Sequence, residues 1–178
     1  MQKNIVIGVG NLLFCDDGIG IMAVEYLKQN YTFAPELEIL DGGTLGFGLI
    51  DYFLNYDNVY IIDTISTDDK AGEIYRIPST ELLDSGSYKN TAHEVEVVQM
   101  LQACQLYEKS ATTTIFAITP EDIVSSKIGL SQKIEDNFEK FIEVVVKNIE
   151  LLGVHVESKN SKTLSQIIEE YNSSFWDK

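Results

Sequence analysis

Short β-branched runs alternate with amphipathic stretches along most of the chain. Asn4 to Val9 is apolar and β-branched, and Gly10-Asn11 ends it, so it reads as a buried strand entering a turn. A second run, Leu37 to Leu40, halts at Asp41-Gly42-Gly43, and a third, Val59 to Ile62, meets Asp63-Thr64. Glu73 to Ile77 alternates in polarity and stops at Pro78, the pattern of an edge strand. Thr113 to Ile118 is the fifth strand candidate. Helical spacing fills the gaps: Ile19 to Leu27, a short stretch from Phe47 to Leu54, Glu94 to Leu101, and a long stripe of Ile134, Phe138, Phe141, Ile142, Val145 and Ile149. Gly153 is placed to end that last helix.

This alternation predicts an α/β fold, a three-layer sandwich with a twisted, mostly parallel five-stranded sheet flanked by helices. The domain is expected over residues 1–157. The polar stretch 158–178, with Leu164 to Ile168 and a late Phe175-Trp176, is expected as a peripheral helix or a partly ordered end. No internal repeat or low-complexity linker interrupts the pattern.

Composition narrows the class. The 178 residues include 28 acids and 13 bases, a net charge of −15, which repels phosphate backbones and anionic lipid. Neither nucleic acid nor a membrane is therefore an expected partner, and no apolar run reaches the ~20 residues that span a bilayer. Cys15 and Cys104 are too few for a disulfide framework and suit a reducing cytoplasm. The N-terminal segment reads as a strand rather than a signal peptide.

The candidate chemistry sits where the strands end, because loops and helix N-termini converge there in open parallel sheets. GVGNLLFCDDGIG, residues 8–20, follows the first strand, DGGTLG, residues 41–46, the second, and Asp63 the third; His93 opens a later helix. Each also has a plainer reading. Gly8 and Gly10 suit a tight turn, Asp16 or Asp17 suits a helix cap, and His93 suits a structural position. Asp63 is harder to explain away, since a carboxylate at a buried strand end needs a partner or a wet cleft. Together, two carboxylates and one imidazole make an N/O site suited to nickel, zinc or a substitute divalent ion. Cys15 beside two acids is a poor thiolate and reads as packing. Leu13 occupies the place of the third glycine of a dinucleotide fingerprint, no P-loop exists, and Ser66 lacks a nucleophile elbow.

From about Ile5 to Gly153, these motifs in this order resemble the hydrogenase maturation endopeptidases. The resemblance implies an endopeptidase that removes the C-terminal extension of a nickel-iron hydrogenase large-subunit precursor after nickel insertion. It implies that Asp17, Asp63 and His93 recognise the substrate's nickel, with zinc or cadmium as substitutes, and that these three serve catalysis. Asp17 stands where relatives commonly carry Glu. Asp16 is the adjacent acid, a helix cap or a supporting acceptor, and Gly42, Gly43 and Thr44 would meet the substrate backbone. The activating group is either a metal-bound water or a carboxylate acting as base. Two rivals share the site. A receiver-like module would want a Lys at the end of the fifth strand, where Phe116-Ala117-Ile118-Thr119-Pro120 offers none, and a metal-dependent precursor-binding protein would need the same ligands without turnover. The loop between Pro78 and Thr91 is the expected partner contact.

Overall fold

The computed structural model describes residues 2–85, 92–107 and 110–176, with side chains described except at 84–85, 92–95 and 175–176. In chain order the elements are β1 (Asn4–Val9), α1 (Ile19–Asn30), β2 (Tyr31–Ala34), β3 (Glu38–Gly43), α2 (Ile50–Asn55), β4 (Asn58–Thr64) and β5 (Ile74–Pro78). They continue with α3 (Ser79–Ser85), α4 (Ala92–Cys104), β6 (Thr112–Ile118), α5 (Gln132–Leu151), β7 (His155–Ser158) and α6 (Leu164–Trp176). One sheet has the order β3-β1-β4-β6-β5, and a separate ribbon pairs β2 with β7. In the large sheet β3, β1, β4 and β6 run parallel, and β5 lies antiparallel at the edge, as its alternating pattern and Pro78 predict.

Strand alternation divides the core in two. Val6, Tyr60, Ile62, Phe116 and Ile118 face α1 and α5, whereas Ile5, Ile7, Val59, Ile61 and Ile115 face the α2 and α4 side. The six buried residues of the α5 stripe are the six that its spacing predicts. The helix ends where Gly153 adopts φ +80, with its N–H donating to the Glu150 carbonyl at 2.9 Å.

Three boundaries differ from expectation for physical reasons. β3 runs on through Asp41-Gly42-Gly43, because pairing with β1 continues to Val9–Gly43 across a bulge at Gly42. β4 includes Asp63, which pairs with Ala117, so this acid is the penultimate strand residue rather than the first loop residue. The Phe47 to Leu54 stretch divides into a 3-10 turn, Gly46–Leu49, and α2.

The tail is part of the body. Ile167 is fully buried, and Leu164 and Ile168 pack on the α1–α5 core. Buried Asn30 donates to the Lys162 carbonyl and accepts from its N–H, at 2.9 and 2.7 Å. Among the described residues, no helix is long and apolar enough to cross a membrane.

Candidate functional site

The loop after β1 is built around close backbone contacts. Gly10 has φ +135, and a Cβ there would lie 1.9 Å from the Asp17 carbonyl oxygen, so only glycine fits. Asn11 directs the turn: its N–H donates to the Asp17 carbonyl and to Asp17 Oδ2, at 3.1 and 3.0 Å, and its Oδ1 accepts from Leu13. The chain then enters a 3-10 turn, Cys15–Gly18, through Cys15 at φ +46. Burial first, and the Asp16 charge second, push the Cys15 thiol upward, which keeps it protonated near neutrality and fits its packing role.

Asp16 and Asp17 are both buried, but neither caps α1. Its N-cap is Gly18, with no side-chain cap hydrogen bond. The two acids divide their work. Asp16 Oδ2 accepts from the Glu121 and Asp122 N–H groups at 2.9 and 2.8 Å and from Ser131 Oγ at 2.9 Å, while Oδ1 accepts from Ser131 N at 2.6 Å. Main-chain bonds run alongside: Cys15 N to Lys127 O, Asp16 N to Asp122 O and Lys127 N to Leu13 O, at 2.9 to 3.0 Å. Asp16 therefore fastens the turn to the β6–α5 loop and to the first residue before α5. Four donors matched to one buried carboxylate offset its desolvation. Its partners are mostly backbone amides, which leave no mark in a sequence.

Asp63 is buried, and Oδ1 accepts from Thr64 N at 2.7 Å. Strand alternation puts it on the same face as Val59 and Ile61, the α4 side. A cavity of about 20 Å³ beside it is lined by Thr64, Ile65, Leu82 and Val97 among others. The β1 turn touches β4, and α1 begins so close to it that a Cβ on Gly20 would lie 2.3 Å from the Ile62 carbonyl oxygen. Asp17 and Asp63 thus belong to the carboxyl ends of two adjacent strands.

His93 falls in the first turn of α4, and its side chain lies outside the described residues. The direction of α4 places that turn. Leu101 and Cys104 line a cleft with Thr112 to Thr114, the amino end of β6, so the helix starts at the carboxyl end of the sheet. Glu96, one turn on, lies over Gly46 in the β3–α2 loop. Among the described residues, no three His, Cys, Asp or Glu side chains form a metal-sized group.

The DGGT stretch is held by its neighbours. Gly43 N donates to Asp41 Oδ1, and Gly43 O accepts from Gly10 N, both at 3.0 Å. A Cβ on Gly42 would meet Ile7 Cγ2 at 2.7 Å, so this glycine has an internal reason to be glycine. Gly43, at φ +48, faces open space apart from Asp41 Oδ1 at 3.8 Å. Of the expected partner loop, residues 79–85 form α3, and 86–91 lie outside the described residues.

A doubly covered sheet with buried acids at the carboxyl ends of neighbouring strands is an α/β protein with its ligand site at a strand-end crevice. Comparison with known proteins makes this specific. The family model HycI, hydrogenase maturation protease, matches residues 21–148. The hydrogenase 2 maturation protease of Escherichia coli is 32% identical over 155 residues, 86% of this chain and 94% of that protein. The protein HydD of Wolinella succinogenes is 29% identical over 145 residues, covering 79% and 91%. Among solved structures, the hydrogenase maturating endopeptidase HybD from E. coli superposes with a TM-score of 0.82 at 29% identity, over 89% of this chain and 98% of that one. The chain belongs to the hydrogenase maturation protease family. It is a peptidase of the kind that processes the C-terminus of hydrogenase large subunits, and the receiver-like alternative falls.

Proposed function

We propose that this peptidase removes the C-terminal extension of a nickel-iron hydrogenase large-subunit precursor once nickel is in place, working in the cytoplasm. Asp17, Asp63 and His93 recognise the substrate's nickel and carry the catalysis. The observation behind this reading is the convergence of the Asp17 turn, the buried end of β4 and the first turn of α4 at one end of the sheet. Two carboxylates and an imidazole suit nickel, and accept zinc or cadmium in its place, while leaving positions open for a peptide or water. The metal supplies polarisation of the scissile carbonyl or acidification of a water. The chain's own groups orient the peptide: Gly43 and Thr44 approach its backbone while buried Gly42 lets β3 pack on Ile7, and a carboxylate of the site acts as base where the metal does not itself activate the water. Asp16 holds the Asp17 turn in place through the β6–α5 loop.

The test is cleavage of a precursor prepared with and without nickel, read by intact mass. Wild type is expected to release a C-terminal peptide only from the loaded form. Asp63→Asn and His93→Ala are expected to lose about 10²-fold or more in rate with their fold intact by circular dichroism. Equal cleavage of the nickel-free precursor, or full activity in both variants, would sink the assignment.

A further inference from the structure

The two edges of the large sheet are finished differently. β5 carries an exposed Arg76 and ends in Pro78, which has no N–H, so this edge is blunted against further pairing. β3 has neither a proline nor a basic residue. It is terminal in the sheet, and its alternate N–H and C=O groups from Glu38 to Asp41 face away from β1. Glu38 and Asp41 are exposed, and Ile39 and Leu40 are half-buried. This open edge leads straight into the site: β3 ends at Gly43, whose carbonyl accepts from Gly10 in the loop that carries Asp17. Beyond it stand Leu45 and Phe47, 62% and 48% exposed, an apolar rim on the same loop.

We infer that the β3 edge binds the C-terminal extension of the precursor as an added strand and leads it over Gly43 toward Asp17 and Asp63. This rests on the function proposed above. An extension is the part of the substrate suited to this mode, because a chain end outside the folded body can lie extended along an edge without unfolding it. Main-chain pairing supplies affinity and alternate side chains supply selectivity. With Glu38 and Asp41 on the edge and a net charge of −15, the segment taken should be poor in acids. The sheet order also sets a spacing. An added strand lies three strand positions from β4, about 14 Å at the usual separation, which an extended chain crosses in about four residues. The paired residues of the extension therefore begin about four positions after the scissile bond.

A proline scan of the extension in the nickel-loaded precursor tests this, with KM and kcat measured for the wild-type enzyme. Proline at alternate positions, starting about four residues past the cut, is expected to raise KM by about three- to tenfold with kcat little changed. Hydrogen exchange of residues 38–43 is expected to slow when the precursor is bound. Efficient cleavage of every proline variant, with exchange in β3 unaltered, would overturn the strand addition and leave the peptidase assignment standing. Failure to cleave the unsubstituted loaded precursor would overturn the assignment itself, and the strand addition with it.

Discussion

The two helical layers grip the same sheet by different means. On one side α1 is pressed onto backbone: a Cβ on Gly8 would lie 2.1 Å from the Gly20 carbonyl oxygen, and one on Gly20 would lie 2.2 Å from that of Val9. On the other side α4 rests on side chains such as Ile61, Val97 and Met100, and leaves cavities of about 10 and 20 Å³ against the sheet. Asp16 and Asp17 belong to the first layer, stitched through the β6–α5 loop, whereas His93 arrives with the second. The proposed site therefore draws on a half fixed by backbone contact and a half that rests on side-chain packing. Tolerance to substitution should follow that division.

Gly20→Ala offers the sharpest break. Helix propensity alone would make it stabilising by about 1 kcal/mol. The carbonyl oxygens of Val9 and Ile62 leave no room for the methyl, so a loss of about 4 kcal/mol is expected in urea unfolding. A neutral or stabilising result would mean that the layer can shift after all. Next comes Asp16→Asn, which keeps the shape but turns an amide NH₂ toward groups that are themselves donors. It is expected to cost about 3 kcal/mol, with loss of cleavage activity as the Asp17 turn is freed. Val97→Ala, on the α4 side, should cost only about 1.5 kcal/mol, because it removes two buried methyl groups and displaces no backbone. If Val97→Ala proved as damaging as Gly20→Ala, the contrast between the layers would be wrong.

Much of this arrangement is legible in the sequence because it follows from periodicity. The α5 stripe, the five strands of the sheet and the glycines around Gly10 and Gly43 announce themselves through spacing and turn chemistry. The β2–β7 ribbon does not, since Tyr31–Ala34 and His155–Ser158 are four residues each, too short for a two-residue period to show. α3 is likewise hidden behind Pro78 with little amphipathic signal. The placement of Asp17 and Asp63 can be read from where strands stop. The work of Asp16 cannot, because three of its four strong donors are the main-chain N–H groups of Glu121, Asp122 and Ser131, and any residue types at those positions would present the same group.

The bond between Asp16 and Ser131 also sets a timetable. The two residues are 115 positions apart, so the first loop cannot be completed until most of the polypeptide has been made. At about 5–20 residues per second, a growing chain spends several seconds with its first acids exposed and unsecured before α5 can dock. Through that interval Asp16 has none of the donors that fix it in the finished fold. The order of assembly is thus written into the separation of the two partners: the first loop is among the last parts of the fold to be secured.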